Sequence, residues 1–281
     1  MPSAASDSRQ DLDRLRALCA GDGVHLDLLE VALEIGALRR DAPFDPAPFR
    51  QHVAAMVDDL ADLVRRRGAV PERLAEVIAQ AYGYRGDSET YDDLQNADLA
   101  RVIERRKGLP VALSLLYLHA ARVQGWDAEG LAFPAHFLIR VAIDGARYVV
   151  DPFHGGVVRD AAELRALLRQ VVGPQAELQP DHFDPVTDRD VLLRLENNVR
   201  LRLAQQGDWP EAARSLDRML AIAPDRPALL FEAGEINARL DKRRAAIAAF
   251  SRFLDIEGGQ GDPALRRRAS DLLRELRRGL N

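Results

Sequence analysis

Cysteine is almost absent from this 281-residue chain, which contains a single one, Cys19. One cysteine cannot form an intramolecular disulfide, and it cannot build a zinc site of the kind that needs several cysteines. A reducing compartment suits such a composition. We therefore expect a fold that is stabilised by its apolar core and not by covalent cross-links.

Long apolar runs and a strong excess of one charge are also lacking. No run approaches the ~18 residues that a membrane span requires, and the polar start, MPSAASDSRQDLDRL, has no apolar signal core. The 39 basic and 44 acidic residues give a net charge of −5, which does not favour a general surface for nucleic acid or anionic membrane. The expectation is a cytoplasmic protein that contacts neither nucleic acid nor membrane.

Hydrophobic residues are plentiful, at 47% of a chain long enough for about two domains. The segment LDLLEVALEIGALRR (26–40) has apolar residues at helical spacing, and helical patterns continue to about Gln124. From Ala128 to Asp151, β-branched and aromatic residues alternate, with Asp144-Gly145 between two such runs, which is a hairpin signal. The order predicts an α+β class: a mainly helical N-terminal core with a small antiparallel sheet, and not a βαβ arrangement.

The C-terminal part repeats itself. The segments GDWPEAARSLDRMLAIAP (207–224) and LDKRRAAIAAFSRFLDIEG (240–258) align at a shift of 34 residues, which is the period of tetratricopeptide repeats. The alignment pairs Ala212 with Ala246, Leu216 with Phe250, Met219 with Phe253, and Leu220 with Leu254. We therefore predict an all-α module over 190–281, after a first domain over 1–172 and a proline-rich linker over 173–189.

Four features together resemble one known family over nearly the whole chain. They are NADLARVIERRKGLPVALSLLY (96–117), PAHFLIR (134–140), VVDPFHGG (149–156) and the two-repeat helical tail. Their order resembles the SirB family of bacterial transglutaminase-like proteins. The resemblance implies a transglutaminase-like (papain-like) core followed by tetratricopeptide repeats. It also implies that His136 and Asp151 correspond to the histidine and aspartate of a thiol enzyme.

The sequence departs from the family pattern at the position of the nucleophile. In the wider superfamily a Gly-x-Cys signature begins the helix, and superposing it on Gly108-Leu109-Pro110 places Pro110 where the cysteine belongs. A helix N-terminus and a neighbouring histidine lower the pKa of such a thiol, but proline offers no nucleophile. Ser114 supplies the nearest hydroxyl, about 6 Å deeper along the helix axis. We expect thiol acyl transfer to be impossible here.

Several interpretations of His136 and Asp151 remain open. They could be a hydrogen-bonded brace between neighbouring strands, because buried polar groups need partners. They could line a retained pocket that binds a peptide or small ligand. A metal site with His119 or His154 has suitable ligand types but no tight spacing, so no metal or cofactor is expected. His182 is expected to be an exposed residue of the linker.

Two functional classes compete at this point. The leading one is a non-catalytic protein-interaction or regulatory protein, in which the repeats bind a protein or peptide partner and His136 and Asp151 are vestigial catalytic residues. The alternative is an unorthodox hydrolase or acyltransferase that uses the His–Asp pair to activate water or a substrate hydroxyl.

Overall fold

The structure, a computed structural model, describes residues 12–21, 25–40, 42–257 and 262–278. The described part is mainly helical and contains a small five-stranded antiparallel sheet, which confirms the predicted α+β class. The chain divides into two compact units. One is Ala20–Leu195, and the other comprises the described residues up to Cys19 together with those from Glu196 onward. The predicted domain boundaries stay a prediction.

Six α-helices form most of the unit Ala20–Leu195: α2 (Leu28–Ala37), α3 (Ala47–Arg67), α4 (Glu72–Leu74), α5 (Leu99–Arg105), α6 (Pro110–Val123) and α7 (Ala161–Val171). A π-helical segment, Ala75–Ala81, continues α4, and 3₁₀ turns occur at Leu94–Ala97, Pro152–His154 and Pro180–Phe183. Helix α6 is the centre of the core, because nearly every one of its side chains is buried. A helix that is apolar on all sides is suited to such a position.

Two sheets accompany these helices. The short strands β1 (Arg85–Gly86) and β2 (Lys107–Gly108) pair in parallel, and β2 leads directly into α6. The five-stranded sheet has the order β6-β5-β4-β3-β7, from β3 (Asp127–Leu131), β4 (Ile139–Ile143), β5 (Ala146–Asp151), β6 (Val157–Arg159) and β7 (Pro185–Val186). Asp144 and Gly145, both at positive φ, turn the predicted hairpin between β4 and β5.

The proline-rich segment 173–189 is ordered on the unit Ala20–Leu195. Its strand β7 pairs with β3, and Ala176, Leu178 and Phe183 pack against a cluster that includes Phe133. Just beyond β7, the buried Asp188 receives two hydrogen bonds of 2.8 Å from Arg122 of α6 and one from the Leu26 backbone N–H. A hydrogen bond thus connects Asp188, near the end of this unit, to Leu26, near its beginning.

The other unit is all helical. It contains residues 12–18 (α1), the part of α8 (Asp188–Gln206) from Glu196 onward, α9 (Trp209–Ile222), α10 (Pro227–Arg239), α11 (Arg243–Glu257) and α12 (Pro263–Arg278). Leu216 and Phe250 are buried as the repeat alignment predicts, while Leu220 and Leu254 are half-buried. Helices α10 and α11 approach closely at Gly234. A Cβ added to Gly234 would lie 2.5 Å from the Phe250 ring, so the absence of a side chain at this position permits the approach.

Among the described residues, no helix combines the length and the apolar character that crossing a membrane would need.

Candidate functional site

The start of helix α6 contains no exposed nucleophile. Pro110 is the first helical residue and is buried, and the preceding Leu109 donates its N–H to the Asn96 carbonyl at 2.9 Å. Proline suits this position because the first N–H of a helix has no partner within the helix. The Ser114 hydroxyl is fully buried and donates to the Pro110 carbonyl at 2.8 Å. It therefore points back into its own helix.

His136 lies just before β4, in a turn where Ala135 has a φ of 54°. Its side chain is 7% exposed. The Arg194 guanidinium donates to the His136 carbonyl at 2.9 Å, and the edge of the Phe153 ring packs against the imidazole at 5.9 Å between centroids. Contacts on both sides therefore hold the histidine in one position.

Asp151 ends β5 and is completely buried. His136 Nε2 donates to its Oδ1 at 3.0 Å, and His154 Nδ1 donates to its Oδ2 at 2.7 Å. Arg159 on the neighbouring strand β6 adds two N–H donors at 3.1 and 3.3 Å from Oδ2. Two histidines and one arginine therefore surround a single carboxylate.

The surroundings of Asp151 keep it ionised. Burial raises its pKa, but hydrogen bonds and positive charge from His136 and His154 outweigh burial and lower the pKa to about 2. The ionised carboxylate accepts from His136 at Nε2, so Nδ1 is the imidazole nitrogen that does not contact Asp151.

His154 and His119 have different positions relative to this pair. The His154 side chain is 45% exposed and joins His136 and Asp151 in one cluster, with imidazole centroids 5.6 Å apart. His119 lies in α6, where burial lowers its pKa and the nearby charges are those of Asp27, Glu30 and Arg122. Of the two histidines considered from the sequence, the structure therefore places His154 at the pair.

Tyr117 is a further buried polar group beside the cluster. Its hydroxyl is fully buried and has no hydrogen-bond partner within the part of the chain that the structure describes. A Cβ on Gly156 would lie 2.6 Å from this hydroxyl, which places it against the turn that follows Asp151. Burial raises the pKa of Tyr117, and the charge of Asp151 adds to that effect.

An aromatic surface continues outward from the cluster. The rings of Tyr91 and Phe153 meet edge to face at 5.9 Å, and Gly86 of β1 packs so closely that a Cβ would meet the Phe153 ring at 2.5 Å. The loop before Tyr91 is fixed by buried Asp87, which accepts from the Thr90 hydroxyl at 2.7 Å and from Arg105 at 2.9 Å.

Sequence reasoning missed Arg159, Tyr117, Tyr91 and Asp87. Arg159 reaches Asp151 only through the pairing of β5 with β6, in which Asp151 lies opposite Val157, so no local pattern indicated it. Tyr117 looks like any aromatic residue of an apolar helix. Asp87 and Tyr91 lie in the segment YGYRGDSETYDD, whose polar composition is typical of a loop.

Comparison with known families matches both parts of the chain. A family model described as the transglutaminase-like superfamily matches residues 50–197 and therefore contains His136, Asp151 and the whole of α6. A tetratricopeptide-repeat model matches residues 199–278. The chain belongs to the SirB family of transglutaminase-like proteins.

Individual relatives support this assignment. A UPF0162 protein of Xylella fastidiosa is 32% identical over 85% of this chain and 87% of its own length. A UPF0162 protein of Vibrio cholerae is 32% identical over 69% and 71%, and Protein SirB1 of Salmonella typhimurium is 24% identical over 66% and 70%. A crystal structure of menin covers 96% of this chain and 74% of its own at 11% identity, with a TM-score of 0.35, a likeness too weak to carry an argument.

Proposed function

We propose that this SirB-family protein is a non-catalytic protein-interaction protein, in which a transglutaminase-like core carries a repeat module that binds a protein partner. The observation that carries this proposal is the lack of an available nucleophile at the start of α6. Pro110 has no nucleophilic atom, and the hydroxyl of Ser114 is buried and donated to the Pro110 carbonyl. Without an activated nucleophile beside the histidine, acyl transfer through a covalent intermediate has no first step.

The role of His136 and Asp151 in this proposal is structural. Both Asp151 oxygens already accept hydrogen bonds, from His136, His154 and Arg159. A buried carboxylate with this many donors stabilises the loops that provide them, since an ionised buried group needs such partners. The pair then connects β5, β6 and the turn before β4.

The arginines of α12 support an interaction surface on the repeat module. This 16-residue helix contains six arginines and two acidic residues, although the whole chain has a net charge of −5. Ala269 and Leu273 face the core, and helical spacing places Arg267, Arg274 and Arg278 together on the opposite side, where Asp271 pairs with Arg274. Such a stripe is complementary to an acidic protein segment.

Partner capture with cross-linking tests the proposal. The bait is the full chain as wild type, as His136→Gln, and as the charge-reversal pair Arg267→Glu/Arg278→Glu. A matched pair on α3, Arg65→Glu/Arg66→Glu, reverses two equally exposed arginines elsewhere. We expect one protein to be captured by the wild type, His136→Gln and the α3 pair, and to be lost with the α12 pair.

Two results would contradict the proposal. Capture that is unaffected by the α12 reversal would remove the repeat module as the binding surface. Hydrolysis of model amide or ester substrates by the wild type, abolished in a folded His136→Gln variant, would establish the catalytic alternative.

A further inference from the structure

We propose that His136, Asp151 and His154 bind one divalent transition-metal ion, with Zn²⁺ as the expected occupant. Each residue offers one ligand atom, and these atoms all lie within 4.8 Å of one another. Two imidazole nitrogens and one carboxylate oxygen are ligands that Zn²⁺ accepts in proteins. These ligands lie in the unit Ala20–Leu195, whereas the arginines of α12 that are proposed to bind a partner lie in the other unit, so either proposal can fail without the other.

The geometry needs only a small closure around the ion. His136 Nε2 lies 3.0 Å from Oδ1, whereas His154 Nδ1 lies 2.7 Å from the other oxygen, Oδ2, so His154 is the residue that must move to bind an ion held by Oδ1. Zinc bonds of about 2.1 Å place neighbouring ligand atoms roughly 3 to 3.5 Å apart. The ion would take the place of the protons that the two imidazoles now share with the carboxylate. His154 is half-exposed at the end of a short turn and can supply the movement.

Arg159 decides which carboxylate oxygen can bind the ion. Its N–H groups lie at 3.1 and 3.3 Å from Asp151 Oδ2 and carry a positive charge that opposes a cation there. We therefore assign Oδ1 as the ligand atom and Oδ2 as the acceptor from Arg159. A hydrogen bond of this kind to the second oxygen orients a ligating carboxylate.

Tyr117 supplies an independent observation at the same place. Its fully buried hydroxyl has no partner among the described residues and lies against the turn between Asp151 and Gly156. Buried hydroxyls are nearly always hydrogen-bonded to protein or to ordered water. The charge of Asp151 reaches this hydroxyl, and a water molecule bound to the ion on its buried side would give the hydroxyl its partner.

Titration of the tag-free full chain with Co²⁺ tests the site, because Co²⁺ in a site with nitrogen ligands has a visible ligand-field absorption that Zn²⁺ should displace. We expect saturation at one equivalent. His154→Ala should lower the affinity by about tenfold or more, whereas His25→Ala, which removes an exposed histidine elsewhere, should leave it unchanged. Zn²⁺ should raise the Tm of the wild type and of His25→Ala but not that of His154→Ala.

Three outcomes would overturn the assignment: no Co²⁺ absorption, absorption of equal strength in His154→Ala, or a Zn²⁺-induced rise in Tm that survives this substitution. Circular dichroism checks that His154→Ala is folded. If it is not, His154→Asn keeps a polar side chain at the position and must show the same loss of Co²⁺ binding.

Discussion

At the scale of single residues, Asp151 is a carboxylate on which three side chains depend. Asp151→Ala leaves His136, His154 and Arg159 without their shared acceptor. Because unpaired buried donors are costly, we expect the free energy of unfolding to fall by about 2 to 3 kcal/mol. Urea unfolding of the purified protein measures this loss.

A matched control for that substitution is Asp127→Ala, which removes an exposed aspartate at the start of β3. It should change the free energy of unfolding by less than about 0.5 kcal/mol. Equal effects of the two substitutions would mean that the buried cluster contributes nothing beyond an ordinary surface charge.

Pro110 gives the second residue-scale prediction. In a Cys19→Ser background, Pro110→Cys places a thiol at the N-terminus of α6, where the helix dipole and, on the family resemblance, His136 should lower its pKa below ~8.5. We expect iodoacetamide at pH 7 to modify it faster than the thiol of Ser114→Cys, because both positions are buried but Ser114 lies one turn away from the helix N-terminus. Adding His136→Ala should slow the reaction.

A thiol in Pro110→Cys with an ordinary reactivity that does not depend on His136 would show that Pro110 does not occupy the position of a nucleophile.

The sequence singled out His136 and Asp151 because each is one polar residue in an apolar strand context. It could not indicate that Arg159 and His154 share the same carboxylate, since that depends on how β5, β6 and the turn between them are positioned.

At the scale of secondary-structure elements, the contact between α10 and α11 can be tested at one glycine. Gly234→Ala should stabilise an isolated helix by about 1 kcal/mol through propensity. Here the new Cβ would lie 2.5 Å from the Phe250 ring, so we expect a net loss of about 1 to 3 kcal/mol from overpacking. Thermal melts followed by circular dichroism give the sign directly.

The double variant Gly234→Ala/Phe250→Ala separates the two contributions. Once the ring has been removed by Phe250→Ala, adding the Gly234→Ala change should be neutral or stabilising. A loss that persists without the ring would contradict the steric explanation.

The loop that ends at Tyr91 should show a pH-dependent stability. Burial raises the pKa of Asp87, but hydrogen bonds from Thr90 and Arg105 and the charge of Lys107 outweigh it and lower the pKa to about 2, from an ordinary 3.8. A lowered pKa means that the ionised form favours the fold. Its contribution is therefore complete above about pH 4 and is lost as the pH falls towards 2.

The measurement is the difference in unfolding free energy between the wild type and Asp87→Asn across that range. We expect a difference in favour of the wild type at neutral pH that closes below about pH 4. A difference that does not vary with pH would show that the carboxylate charge is unimportant to the loop.

Elements differ in how far the sequence alone specifies them. Asp144-Gly145 between two alternating runs was sufficient for the hairpin, because turn geometry and strand pattern are local. Strand β7 could not be recognised, since Pro185–Val186 is two residues long and pairs with a strand more than fifty residues earlier. The π-helical segment Ala75–Ala81 has no local signal either, because its apolar spacing is that of an ordinary helix.

At the scale of the whole molecule, the two units give a prediction about cooperativity. Leu216 is 1% exposed in α9, and Leu216→Asp buries an unpaired charge that should unfold the helical unit around it. We expect the unit Ala20–Leu195 to stay folded, because it has its own core around α6. Limited proteolysis with mass spectrometry should yield a stable N-terminal fragment.

Complete digestion of Leu216→Asp, with no surviving fragment, would instead show that the chain unfolds as one cooperative unit.

The division into two modules was inferable from the 34-residue repeat. The ordered structure of the segment after Gly173 could not be inferred from the sequence. Its prolines are typical of a linker, but they also suit the 3₁₀ turn and the edge strand that it forms.

The hydrogen bonds of Asp188 also constrain biosynthesis. Asp188 binds Leu26, 162 residues earlier, and Arg122, 66 residues earlier. A ribosome adds about 5 to 20 residues per second from the N-terminus, so the helices around α6 leave the exit tunnel well before the residue that holds them. The nascent chain therefore lacks these hydrogen bonds for several seconds after α6 has emerged, and it gains them only once β7 and Asp188 follow.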